Sequence, residues 1–248
     1  MNIIKLSSLE LSSVIWKCII ENKRDGTGLF SHSRETSLEL PQIVDELSNY
    51  YKDLDNYISK MDYKTGSISL LGGITLYMLI KYFQPRKVFE VGTFIGRSTV
   101  AMALGISQYC DDGIIYTCDK DNDFYLDELK LGCEIRGDGK TLSTEALKKV
   151  SEKEDSMDFF FFDGILQNSD LEYIAQLSGE NTILATDDFE GISKGVINFA
   201  FLKQLPCFSS YILVHPCPVG LLDFVHSYGS RSVIALLVPQ TIFRVTQG

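Results

Sequence analysis

The chain has 248 residues, a formal net charge of −10 and 45% hydrophobic residues. That length suits one large α/β domain with an N-terminal extension, and the apolar share is enough for a full core. The acidic balance argues against a nucleic-acid partner, which needs a basic face, and no run of Lys or Arg offsets it.

Cys18, Cys110, Cys118, Cys133, Cys207 and Cys217 form no CxxC pair and are too sparse for a disulfide framework. They read as small apolar residues in a reducing compartment. Glu10 and Lys17 interrupt any signal-peptide core. The longest apolar stretch, Leu70 to Ile80, is too short to span a bilayer. A soluble, cytoplasmic protein with no membrane partner is expected.

In chain order, residues 8–22 read as an amphipathic helix, with Leu11, Val14, Ile15, Cys18 and Ile19 at helical spacing. Residues 24–40 are polar and glycine-bearing and read as a loop. Pro41 opens a second helix whose apolar stripe holds Ile43, Leu47, Tyr50, Tyr51, Leu54, Tyr57, Ile58 and Met61. That stripe is expected to pack in a core or interface, with a tyrosine-lined substrate pocket as the alternative. The N-terminal helices are candidates for packing, for a lid, or for the arm of a homodimer, and spacing leaves these open. Residues 1–66 are taken as this extension and 67–248 as the main domain.

Ser67 to Phe83 predicts a helix apolar on most sides, closed by Pro85. From Val88 onward strand and helix patterns alternate, which predicts a doubly wound, mostly parallel sheet. Strands are expected at Val88–Val91, Gly113–Cys118, Cys133–Arg136, Phe159–Phe162 and Thr182–Thr186. Helices are expected at Arg97–Ile106, Phe124–Leu131, Thr141–Val150, Ser169–Leu177 and Ser193–Gln204. Tyr211–Val214 and Ser232–Val238 are strand candidates without a helical period between them, which suggests an antiparallel pair.

In such a sheet the loops after parallel strands gather on one rim, where ligands bind. Glu90 and Gly92, Asp119, Asp138, Asp163, and Asp187 with Asp188 all fall at these strand ends. Asp119 lies at the end of the second strand, where an acid can accept hydrogen bonds from ribose hydroxyls. A dinucleotide site favours GxGxxG; here the loop is Glu90-x-Gly92-x-x-x-Gly96-x-Ser98, with Phe94 at the middle-glycine position. That side chain would crowd a pyrophosphate. A nicotinamide-dependent oxidoreductase on a related fold is the first rival reading, and a non-catalytic cofactor-binding module is the second.

The run Glu90-Val91-Gly92-Thr93-Phe94-Ile95-Gly96-Arg97-Ser98-Thr99 resembles the first motif of class I S-adenosylmethionine-dependent methyltransferases, especially small-molecule O-methyltransferases. The resemblance extends over roughly residues 67–240. It implies a Rossmann-like fold whose seventh strand inserts beside the sixth. It implies S-adenosylmethionine as cofactor, with Glu90, Gly92, Thr93 and Gly96 at its methionine part and Ser98 at its carboxylate. Asp119 would hold the ribose, Asp138 and Gly139 the adenine side, and Asp163 would also face the cofactor. The implied reaction is methyl transfer to a small-molecule hydroxyl.

Asp163, Asp187 and Asp188 sit at the ends of adjacent predicted strands, and carboxylates brought together repel one another unless protons or a cation intervene. Mg²⁺ takes oxygen ligands in this way. The trio resembles the metal site of catechol-type O-methyltransferases and implies a divalent ion that acidifies the acceptor hydroxyl. The lysine base of those enzymes, three residues after the first acid, is replaced here by Leu166, followed by Gln167. Asp163 and His32 are the remaining candidates for catalytic groups. His215 and His226 read as structural or exposed, and Lys194 reads as a helix-start lysine that could position an anionic substrate.

Overall fold

The computed structural model describes residues 40–58, 67–121, 131–189, 194–214 and 234–240. The expected helices at 8–22 and 124–131, the loop bearing His32, and both C-terminal histidines lie outside the described residues, apart from Leu131, which is not helical.

Helix α1 spans Leu40–Ile58. Leu47, Tyr51 and Leu54 recur at helical spacing and are buried, while Asp45, Lys52 and Asp53 face outward. Helix α2, Leu70–Phe83, begins where the Ser69 side chain accepts a hydrogen bond from the Gly72 amide. It ends at Gln84, which takes a left-handed conformation, just before Pro85. Its near-continuous apolar character matches its position in the core, between α1 and the helix that follows the first strand.

The alternating part contains β1 (Lys87–Val91), α3 (Arg97–Ile106), β2 (Ile114–Asp119), β3 (Glu134–Gly139), α4 (Ser143–Ser151), β4 (Met157–Phe162), α5 (Asp170–Leu177), β5 (Ser178–Thr186) and α6 (Lys194–Leu202). It closes with β6 (Tyr211–Val214) and β7 (Ala235–Pro239). The seven strands lie in the order β3-β2-β1-β4-β5-β7-β6. The first five are mutually parallel; β7 inserts between β5 and β6 and runs antiparallel to both. The Rossmann-like sheet with an antiparallel terminal pair is therefore as expected.

Four successive phenylalanines, Phe159 to Phe162, are each 0% exposed. Strand side chains alternate between faces, so such a run requires cover on both sides. Phe159 and Phe161 pack with the residues of α1, α2 and α3. Phe160 and Phe162 stack on each other and face Ala146, Leu147 and Val150 of α4, Ile174 and Leu177 of α5, and Leu202 of α6. Helix α1 contributes Leu47, Tyr51 and Leu54 to the first of these layers, so the described part of the extension belongs to the same core.

β3 and β5 both run longer than expected. β3 continues through Gly137, Asp138 and Gly139, because Thr117, Cys118 and Asp119 of β2 remain in register beside them. β5 begins directly at the end of α5, and its register with β4 jumps from Met157–Ser178 to Phe159–Ile183. The extra residues, Gly179 to Asn181, leave no apolar alternation to read in the sequence. Among the described residues no helix is long and apolar enough to cross a membrane.

Candidate active site

The strand order reverses between β2-β1 and β1-β4, the switch point at which open α/β sheets bind ligands beyond the carboxyl ends of their strands. Backbone strain concentrates on this rim. Of the four described non-glycine residues at positive φ, three follow strand ends: Phe94 (48°), Lys140 (53°) and Asp188 (54°). Such conformations cost of order 1–3 kcal/mol each and persist where the surroundings enforce them.

At β1 the chain turns through Gly92, whose φ is 94°. A Cβ there would lie 2.5 Å from the Gly164 amide nitrogen, so the loops after β1 and β4 touch backbone to backbone. The amides of Asp163 and Gly164 both donate to the Val91 carbonyl, at 2.9 and 2.7 Å. Phe94 is held in its turn by its amide, which donates to Asp119 Oδ2 at 2.7 Å. The amide of Asp121 donates to Oδ1 of the same carboxylate at 2.9 Å. Asp119 thus stands fixed at the rim.

Glu90 lies beneath this loop, 0% exposed. Its carboxylate accepts the hydroxyls of Ser98 and Thr99, both at 2.5 Å, and of Thr117 at 2.6 Å. The Thr93 hydroxyl in turn contacts that of Thr117. Burial raises the Glu90 pKa, and the three hydroxyl donors oppose the shift. Under the loop, Glu90 therefore binds Ser98 directly and Thr93 through Thr117. Asp138 of β3, opposite Cys118, accepts from Thr141 Oγ1 at 2.9 Å and pairs with Lys149 at 2.7 Å.

At the β4–β5 end, Asp163 and Asp187 are buried, 8% and 2% exposed. Lys194, the first residue of α6, reaches between the loops. Its Nζ lies 2.5 Å from Asp163 Oδ1 and 3.1 Å from Asp188 Oδ2. Gly195 allows this approach, since a Cβ there would meet the Asp187 carbonyl at 2.2 Å. Burial and the charge of Asp187 push the Asp163 pKa up to about 7, against the pull of Lys194. Burial alone would lower Lys194, but Asp163 and Asp188 outweigh it and hold the ammonium charged well above the usual range.

At the expected metal site of Asp163, Asp187 and Asp188, the structure places a lysine ammonium against two of the three acids. Among the described residues no three His, Cys, Asp or Glu side chains form a group able to hold a metal ion. Beside these acids stands Lys194, whose ammonium contacts two of the three. The donor set as it stands does not fit a divalent ion. Leu166, at the position of the lysine base of the catechol-type enzymes, is an apolar core residue 1% exposed.

Some residues that build the site carried weak signals in the sequence. Thr117 is a polar residue inside an apolar strand, in register with Glu90 across β1–β2. Asn198 is the lone amide in an apolar helix; it is 0% exposed, accepts from the Leu166 amide at 2.9 Å and donates to the Gly164 carbonyl at 2.8 Å, tying down the loop after β4. Arg97 pairs with Asp55 of α1 and places its guanidinium over the Tyr51 ring, and the Tyr51 hydroxyl donates to the Arg97 carbonyl at 3.1 Å.

The chain is similar in fold to solved methyltransferases. An O-methyltransferase from Bacillus cereus, solved in complex with S-adenosylhomocysteine, superposes with a TM-score of 0.52 at 18% identity, covering 82% of this chain and 93% of that one. TomG from Streptomyces achromogenes, an O-methyltransferase of tomaymycin synthesis solved with S-adenosylmethionine, gives 0.55 at 15% identity over 89% and 98%. An S-adenosylhomocysteine-bound methyltransferase from Podospora anserina gives 0.51 at 13% identity over 83% and 99%. No curated protein matches the chain. The sequence profile of the O-methyltransferase family matches residues 34–173, from before α1 into α5 and through the whole first half of the rim, and the chain accordingly belongs to the O-methyltransferase family.

Proposed function

We propose that the chain transfers a methyl group from S-adenosylmethionine to an oxygen of a small-molecule acceptor. The observation that carries this reading is the strained rim, where Asp119, the Gly92–Gly96 turn and Asp163 stand at the ends of β2, β1 and β4. The donor set fits the cofactor. The residues that would hold it are Gly92, Thr93 and Gly96 of the turn, Asp119 for the ribose hydroxyls, and Asp138 with Gly139 beside them. Asp163 would stand on the far side of the turn. Glu90 and Ser98 contribute from below, by fixing the shape of the loop. S-adenosylmethionine supplies an activated methyl group, so alignment and deprotonation of the acceptor are what the protein must add.

No step is assigned to a divalent ion, because Lys194 stands where the acids would meet it. An oxygen acceptor is supported by the family match and suits a corner that offers both carboxylates and an ammonium to a hydroxyl. The test is calorimetry with S-adenosylhomocysteine and with NAD, followed by turnover of methyl-labelled S-adenosylmethionine with a panel of phenols, catechols and hydroxy acids. Stoichiometric binding of S-adenosylhomocysteine and label in a methyl ether or ester are expected. Binding of NAD alone would end this reading.

A further inference from the structure

Asp163, Asp187 and Asp188 stand at the β4–β5 corner, where the charges of Asp187 and Asp188 both act on Asp163, and like charges so placed favour a positive charge or protons among them. The chain provides the positive charge itself. Lys194 contacts Asp163 at 2.5 Å and Asp188 at 3.1 Å. An ammonium has three donors in a tetrahedral arrangement, more than these two contacts use. The side chain of Lys194 is 31% exposed while that of Asp163 is 7% exposed, so the lysine is what this pair shows to the outside. The corner also lies against the cofactor turn, since the loop bearing Asp163 and Gly164 is bonded to Val91.

We infer that Lys194 is the resident cation of the site: its ammonium, in place of a divalent metal, meets the acceptor oxygen and holds it for methyl transfer. This rests on the oxygen-acceptor reading above. The acceptor O–H bond breaks and its proton passes to a carboxylate of the corner. The electron pair left on oxygen forms the O–CH₃ bond, and the pair of the S–CH₃ bond returns to sulfur, leaving S-adenosylhomocysteine. Lys194 stays protonated throughout and stabilises the negative charge that develops on the acceptor oxygen, as a positioned cation does in other sites. A lysine ammonium is a compact point charge suited to this task.

The test uses the full chain as wild type, Lys194→Met, Lys194→Gln and Lys194→Arg. Mn²⁺ is titrated and followed by electron paramagnetic resonance, with S-adenosylhomocysteine calorimetry in parallel. Wild type and K194R should leave Mn²⁺ free, while K194M and K194Q, with their acids uncompensated, should bind one Mn²⁺ at least tenfold more tightly. All four should bind S-adenosylhomocysteine within a few-fold. For an acceptor that turns over, K194M should lose about a hundredfold in kcat with little change in the KM for S-adenosylmethionine, K194R should recover part of it, and chelator should leave the wild-type rate unchanged. Tight one-to-one Mn²⁺ binding by wild type would overturn the inference. So would a folded neutral variant that gains no Mn²⁺ or keeps its kcat. Loss of S-adenosylhomocysteine binding in wild type would instead strike the cofactor reading, with the Mn²⁺ measurement still deciding the role of Lys194.

Discussion

The two halves of the rim bury a carboxylate in opposite ways. At β1–β2, Glu90 is enclosed by neutral donors, the hydroxyls of Ser98, Thr99 and Thr117. At β4–β5, Asp163 is met by a charged donor, the ammonium of Lys194. Three hydroxyls on short side chains give both oxygens of the acid a donor and fix the backbone around it. A long side chain with a point charge satisfies the acid while leaving its own head partly outside. The first device suits a rigid cofactor cradle, and the second suits a place where charge develops and disappears.

The sharpest way to break the comparison is to remove Glu90. Glu90→Ala strands three buried hydroxyls, at about 1–3 kcal/mol for each unsatisfied group, partly offset by relief of the buried charge. A loss of about 4 kcal/mol in urea unfolding is expected, with loss of S-adenosylhomocysteine binding. Glu90→Gln keeps an acceptor oxygen, and rotated hydroxyls can accept from the amide, so its loss should be about 1–2 kcal/mol. Equal losses in the two variants would mean that charge, rather than hydrogen bonding, holds the loop.

The second half of the rim should respond to pH. The Asp163 pKa is raised from 3.8 to about 7 by burial and by Asp187. A raised acid favours the folded state below its unfolded pKa, and that contribution is lost as pH rises through the folded one. Wild type should therefore lose stability relative to Asp163→Asn between pH 4 and 7, with the difference levelling off above that. At about 1.4 kcal/mol per pKa unit the swing is on the order of 4 kcal/mol at most. Urea melts of both proteins at pH 4.5, 6 and 8 would measure it. A constant difference would show that Lys194 neutralises Asp163 fully and that the two acids are handled more alike than their partners suggest.

The contrast between the halves was only partly legible in the sequence. Glu90, Asp119 and Asp163 announced themselves because a buried parallel strand ending in an acid is a pattern of topology, readable from hydrophobic runs. The hydroxyl set around Glu90 was half visible: Ser98 and Thr99 follow it at 8 and 9 residues, but Thr117 arrives only through strand pairing. The inward position of Lys194 was hidden for a different reason. A lysine that opens a helix is ordinarily solvated, and what turns it inward is Gly195, which lets α6 close on the Asp187 carbonyl. The sequence reading had the three acids at their strand ends without the lysine that stands against two of them.

Tyr51 tests whether the two halves are linked. It is a residue of α1, buried to 4% exposure, whose hydroxyl donates to the Arg97 carbonyl at the start of α3. Its pKa is raised chiefly by burial; the Arg97 charge opposes this, while Glu90 and Asp187 both add to it, so the ring lies within the field of both acids. Tyr51→Phe removes one hydrogen bond and keeps the packing of the ring, including its contact with Arg97. About 1 kcal/mol of stability should be lost. If α1 couples the halves, the same change should weaken S-adenosylhomocysteine binding by a few-fold, although no atom of Tyr51 belongs to either loop. If the halves are independent, calorimetry should show unchanged affinity beside the same small loss in the melt. The cofactor turn would then be held from beneath by Glu90 alone, and α1 would matter only as a wall of the core.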